Sequence, residues 1–128
     1  MKTVFEALYS KLSGSALTAA IGGRWYPIEA PVGSTVPLCV VSIISEFNDH
    51  GLQITFVDTL IEISVVADDI TSMHTVAELV YTLFDNSTLT GLSGYEQVGP
   101  MDRENGQPLI EDGVYRYIIE YRLMLKKL

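Results

Sequence analysis

The sequence is poor in the residues on which most small-domain chemistry depends. It has one cysteine in 128 residues, which excludes an intrachain disulfide and any multi-cysteine metal site. That residue, Cys39, lies in the apolar run Leu38-Cys39-Val40-Val41 and reads as a small buried hydrophobe rather than a reactive thiol. Histidine occurs twice, as His50 beside Asp49 and as His74, and neither stands at a metal-ligand or triad spacing. No G-x-S-x-G, Walker loop or G-x-G-x-x-G is present, so an enzymatic reading has no residue to nominate, and neither catalysis nor a cofactor is expected. Long apolar runs are missing too. The longest, Pro37 to Ile44, contains Ser42 and is flanked by Glu46, far short of the roughly 20 residues that span a bilayer. Met1-Lys2-Thr3-Val4 leads into a helical pattern without the apolar block of a signal peptide, which predicts a cytoplasmic chain with no membrane partner.

Basic residues are also scarce where a nucleic-acid binder needs them. Net charge is −8, and its distribution is uneven. From Met1 to Ser45 the bases Lys2, Lys11 and Arg24 face the acids Glu6 and Glu29. From Glu46 to Asp112 there are thirteen acids and one base, Arg103. Beyond Asp112 the balance reverses: Arg116, Arg122, Lys126 and Lys127 against Glu120. A protein that grips phosphates needs a basic patch. Its absence excludes specific nucleic-acid binding, though not a surface that nucleic acid slides past.

What is present is a hydrophobic, ordered composition, 48% apolar and 19% charged, in a length typical of one domain. Val4, Phe5, Leu8, Tyr9 and Leu12 form one helical face over Thr3–Leu12, with Thr3 and Glu6 in a capping-box relation. Ala16–Ile21 reads as a second short helix ending at Gly22-Gly23. Pro27, Pro31, Gly33 and Pro37 then predict a loop held on the core by Trp25 and Tyr26. Leu38–Phe47 is a strand, Asn48-Asp49-His50-Gly51 a turn, and Thr55–Ala67 a strand with apolar Val57, Ile61, Ile63 and Val65 on one face. Asp68 and Asp69 open a helix over Thr71–Phe84. Gly94–Met101 reads as a strand, and Asp102–Gly113 as a long exposed loop, mobile in the free subunit. Tyr115–Leu125 alternates most clearly of all. The expected fold is one α+β domain over residues 1–128: an antiparallel sheet of about four strands with helices packed on one face, in the order α-β-β-α-β-β.

Without catalytic residues, the candidates for function are surfaces. Arg116 and Arg122, on the polar face of the last strand, can pair with Asp58 and Glu62 inside the chain, the preferred reading. Alternatively they meet the acidic middle of a second copy, a head-to-tail contact that closes into a ring if the rotation permits. The loop residues Asp102, Arg103 and Glu104 and the turn residues Asp49 and His50 are further candidates for a subunit or partner interface. A weak cation site among Asp102, Glu104, Glu111 and Asp112 is the less favoured alternative to a solvated loop.

Three segments, taken in order, resemble the tail terminator or tail-completion proteins of long-tailed bacteriophages, also called tail-to-head joining proteins. They are LTAAIGGRWYPIEAPVGSTVPLCVVS, TLIEISVVADDITSMHTVAELVYTLF and EDGVYRYIIEYRLML. The resemblance covers most of the chain but does not extend to Asp102–Gly113, and Gly94–Met101 matches poorly. It implies a non-enzymatic homo-oligomer, a ring of six subunits. That ring would cap the head-proximal end of the tail tube and face the head connector, in the virion after assembly in the host cytoplasm. Its partners would be the tail tube protein and the neck proteins, with DNA only passing through the lumen past acidic walls that repel it. A head-completion or neck protein is the nearest alternative. A small ligand-binding or enzymatic domain under the Trp25–Tyr26 segment is the alternative from another class.

Overall fold

The computed structural model describes residues 2–50 and 53–128, and of His50 the backbone alone. Its elements are α1 (Lys2–Lys11), α2 (Ala16–Ile21), β1 (Trp25–Pro27), β2 (Leu38–His50), β3 (Thr55–Ala67), α3 (Ile70–Phe84), β4 (Tyr95–Gln97), β5 (Asp102–Glu111) and β6 (Val114–Lys127). The sheet has six strands, not about four, in the order β1-β2-β3-β6. At the far side of β6 the edge is divided: β4 pairs with Leu125–Lys127 and β5 with Val114–Arg122. The expectation of a purely antiparallel sheet is corrected by β1, which runs parallel to β2 with Trp25 opposite Cys39.

The strong periodicities became the expected elements. Along β3, Val57, Thr59, Ile61, Ile63, Val65 and Ala67 are buried while the residues between them are half-buried. In β6 the buried set is Ile119, Tyr121, Leu123 and Leu125. These faces meet Val4, Ala7 and Leu8 of α1, Leu12 just beyond it, Leu17 and Ile21 of α2, and Val76, Ala77, Val80 and Phe84 of α3 in one hydrophobic core. The helices therefore lie on one side of the sheet, and among the described residues no helix covers the other. The caps follow local chemistry. Ser15 accepts the Thr18 amide at 3.1 Å, and α2 ends on Gly22 at φ 59°, a left-handed turn that glycine makes without steric cost. Asp69 accepts the Ser72 amide at 2.7 Å, and that hydrogen bond holds its carboxyl below the usual range. Thr3 lies inside α1 rather than capping it, and Glu6 pairs with Lys2 at 3.5 Å.

Three readings are corrected by long-range pairing that local composition does not record. The proline segment begins as a strand because Trp25 is buried and stacked on Phe84, with ring centroids 5.9 Å apart. That contact sets the backbone beside β2, where the Cys39 amide donates to the Arg24 carbonyl at 3.0 Å. Asn48–His50 belongs to β2 rather than to a turn; the rest of that turn, Gly51, lies outside the described residues. Asp102–Gly113 is no loop. Asp102–Glu111 pairs with β6 along its length, and the chain reverses at Asp112-Gly113, with φ of 49° and 76°. Those angles are the left-handed pair that a two-residue hairpin needs, and Asp-Gly supplies it. The strand expected at Gly94–Met101 shrinks to Tyr95–Gln97 because Gly94 and Gly99 both take positive φ.

Candidate functional site

The two arginines singled out from the sequence behave differently. Arg122 lies on the helix-free face, its Nη1 3.6 Å from Asp58 Oδ2 and its Nε 3.1 Å from Glu104 Oε1. This is the in-chain pairing to Asp58, extended by a Glu104 that the loop reading had placed elsewhere. All three groups keep substantial exposure, so the pairs add little stability. Arg116 forms no ion pair among the described residues. It is exposed between Val66 of β3 and Leu109 of β5, and it lines a cleft of about 470 Å³ with Glu29, Glu62, Ser64 and Val40. That cleft is formed where residues 28–36 fold over the outer face of β2 and β3. Asp102 is exposed opposite Arg122.

Arg103 points the other way, to the helix side, where no interface was expected. Its guanidinium carbon sits 3.8 Å from the Tyr81 ring centroid, and Nη2 lies 3.6 Å from Asp85 Oδ2. Tyr121 donates to Asp85 Oδ1 at 2.6 Å, and Tyr81 donates to Tyr117 at 2.9 Å. The cluster ties β5 and β6 to α3 through a cation–π contact, an ion pair and two hydroxyl hydrogen bonds. Burial, then the hydrogen bond with Tyr117, pushes the Tyr81 phenol up to about 12. Burial, then the bond to Asp85, raises Tyr121 further still. These are structural phenols that stay protonated at neutral pH.

Asp49 is exposed on β2 opposite Phe56; His50 is opposite Thr55, and its side chain lies outside the described residues. Asp49 and His50 are thus near one end of the β2–β3 ribbon, whereas Asp102 and Glu104 are on the opposite edge strand. The structure does not gather the candidates into one site. Among the described residues no cluster of three His, Cys, Asp or Glu side chains could hold a metal ion. Cys39 is fully buried, and burial pushes its thiol up to about 12.

Two exposed apolar features were not foreseen. At the β5–β6 hairpin tip Leu109, Ile110 and Val114 are 42%, 53% and 42% exposed. On the opposite edge, α1 and β1 enclose a groove of about 460 Å³ lined by Phe5, Glu6, Tyr9, Ser10, Trp25, Pro27 and Val41, with Tyr9 64% exposed. The hairpin was legible in one signal, Asp112-Gly113 between short apolar runs. The groove had none, because Phe5 and Tyr9 share the spacing of the core residues Leu8 and Leu12.

No family model matches the sequence, and no curated protein is similar to it in sequence. Among solved structures, the chain resembles a chain of the virion of a native gene transfer agent (GTA) particle. The TM-score is 0.76 at 20% identity, covering 94% of this chain and 92% of that one. At that identity the likeness establishes a shared fold.

Proposed function

We propose that this chain is a structural virion component, a tail-completion protein that forms a ring at the head-proximal end of a tail tube and joins it to the head connector. The observation that carries the reading is the fold likeness to a GTA virion chain over nearly the whole of both chains. The ordered resemblance to tail terminators narrows it from virion component to tail end and gives the ring six subunits. The chain's own surface is consistent with this reading. Apolar side chains are exposed at both sheet edges. A net charge of −8 suits a lumen that DNA crosses without adhering, because like charges repel.

The test is the mass and shape of the pure protein, alone and with preformed tail tubes of its own phage. Light scattering coupled to gel filtration should give a multiple of the chain mass, and negative-stain images should show rings with a central hole. On tubes, one ring should sit at one end. A chain that stays at single-chain mass in both settings overturns the reading. Rings that bind isolated connectors but never tubes would move it to the neck.

A further inference from the structure

We infer that the open edge of β2, from Ser42 to Asp49, is a strand-addition site. Its occupant is an extended segment of a partner protein, apolar at alternate positions and basic rather than acidic at the others. This goes beyond the ring reading above and does not depend on it. β1 covers β2 only at Cys39–Val41, and past that point β3 is its one strand partner among the described residues. Residues 44–49 are all exposed. A strand edge of this length presents a row of main-chain donors and acceptors that fits another extended chain.

The path of the chain leaves this edge uncovered. β1 runs along β2 as far as Ile28, whose amide donates to the Val41 carbonyl at 2.8 Å. There the backbone turns away with φ 70°, a costly conformation for a β-branched residue. Past the turn lies a groove of about 500 Å³, lined by Phe5, Ile28 and residues 42–46. A strand added there continues the line of β1 and meets apolar groups on both sides. Phe5 and Ile43 lie toward the helices, and Phe47, opposite Asp58, lies on the helix-free face. Ile44 and Phe47 are 52% and 68% exposed, so covering them removes apolar surface from water. The Cys39 amide and the Val41 carbonyl face the β1 side. By the alternation of a strand, Ile43 turns its main chain to the same side. Beyond the irregularity between Ile43 and Ser45, Asn48 does so, because its partner Val57 is in phase with Ile61.

Charge and composition select the occupant. The edge carries Glu46 and Asp49, and no lysine or arginine occurs between residues 28 and 50, which favours a basic segment over an acidic one. A second copy offers nothing suitable. Its β4 is three residues long, and its β5 holds Pro108, which has no amide to donate, among Asp102, Glu104 and Glu111. Its β2 would set Glu46 and Asp49 against the same acids, and one register irregularity against another. The segment therefore comes from a different chain.

The probe is a short peptide of alternating valine and lysine. Its controls are a peptide of alternating valine and glutamate, and the lysine peptide with every amide N-methylated. Binding is read by titration calorimetry and by amide hydrogen exchange. At roughly ten times its Kd, the lysine peptide should slow the Ile43 and Asn48 amides about tenfold, and neither control should bind. Ile44→Lys places a like charge on the edge, and Asn48→Pro removes an edge-facing amide that makes no bond to β3. Each should lose the binding while melting close to the parent. No binding by the lysine peptide overturns the assignment. So does equal binding of the glutamate peptide, binding that survives N-methylation or Ile44→Lys, or slowing at β5 amides instead. Ile43 and Asn48 amides that exchange slowly in assemblies of this chain alone would give the edge to a second copy and overturn the choice of partner. If the chain never assembles by itself, the ring reading falls and this test is unaffected.

Discussion

Gly106 is the point at which the polar strand β5 meets the tyrosine cluster, and substituting it tests how that cluster is built. Gly106 pairs with Ile119. A Cβ there would collide with the Tyr81 hydroxyl and lie 3.4 Å from Tyr117 Cε1. The hydroxyl cannot yield freely, because it donates to Tyr117 at 2.9 Å and its ring carries Arg103 at 3.8 Å. In Gly106→Ala the Tyr81 ring must tilt. The lost hydrogen bond costs about 1 kcal/mol, and an off-rotamer ring about 0.5–1.5 kcal/mol more. Replacing a strand glycine returns about 0.5–1 kcal/mol through the unfolded chain. The net loss is about 0.5–2 kcal/mol. With an unfolding entropy near 2.1 cal/mol/K per residue, 128 residues give roughly 270 cal/mol/K. The melting temperature should therefore fall by about 2–7 °C. In a Tyr81→Phe background the colliding atom is gone, and the same substitution should be neutral or slightly stabilising. Calorimetric melts of the four chains give the coupling between the two sites. If Gly106→Ala shifts the melt equally with and without the Tyr81 hydroxyl, the packing argument is refuted.

Four further outcomes can be checked. Trp25→Ala should cost about 3–5 kcal/mol, since it removes a buried ring stacked on Phe84; a melt within a degree or two of the parent contradicts this. Raised phenols mean the folded chain holds those protons more tightly than the unfolded one. Stability should therefore be fully present below about pH 10 and lost as pH rises towards about 12, where Tyr81 titrates; the pH dependence of denaturant melts across that range should shrink in Tyr81→Phe. Arg122→Glu should cost under about 1 kcal/mol and lose even that at high salt, because its partners Asp58 and Glu104 are part-exposed, while Arg116→Glu should leave the melt unchanged. Amides of β5 that face β6 should be protected from hydrogen exchange in the free subunit, in contrast to the mobile loop expected from composition, and rapid exchange throughout 102–111 would restore that loop.

The parts of the fold that could be read in advance are those where burial leaves a period. In β3, β6 and α3 one face is sealed and the other is not, so apolar residues recur at the spacing of the element. β5 has no such record, since its residues are exposed or half-buried throughout, and both its polar composition and Pro108 argue for a loop. What makes it a strand is β6, a partner already specified by its own pattern. β1 failed for a related reason: its position depends on Trp25 reaching Phe84, 59 residues away. The surface candidates fared by the same rule. Arg122 and Asp58 lie on neighbouring strands whose register follows from alternation, so their pairing was accessible. Glu104 and the inward turn of Arg103 depended on a strand that the composition concealed.

The placement of the exposed apolar residues bears on how such a chain avoids uncontrolled association. Tyr9, Ile28, Ile44 and Phe47 lie along the α1–β1–β2 edge, and Leu109, Ile110 and Val114 at the far hairpin. Between them the helix-free face carries charged groups, with Glu62 opposite Glu120 and Arg122 linked to Asp58 and Glu104. Apolar edges of this kind are aggregation hazards in an isolated domain, and β1 covers β2 only over Cys39–Val41. A net charge of −8 opposes approach in most orientations. Long-range repulsion then opposes random encounters, and short-range apolar contact is gained only where a partner covers one of these edges. Specificity of assembly comes from that combination rather than from the apolar area alone.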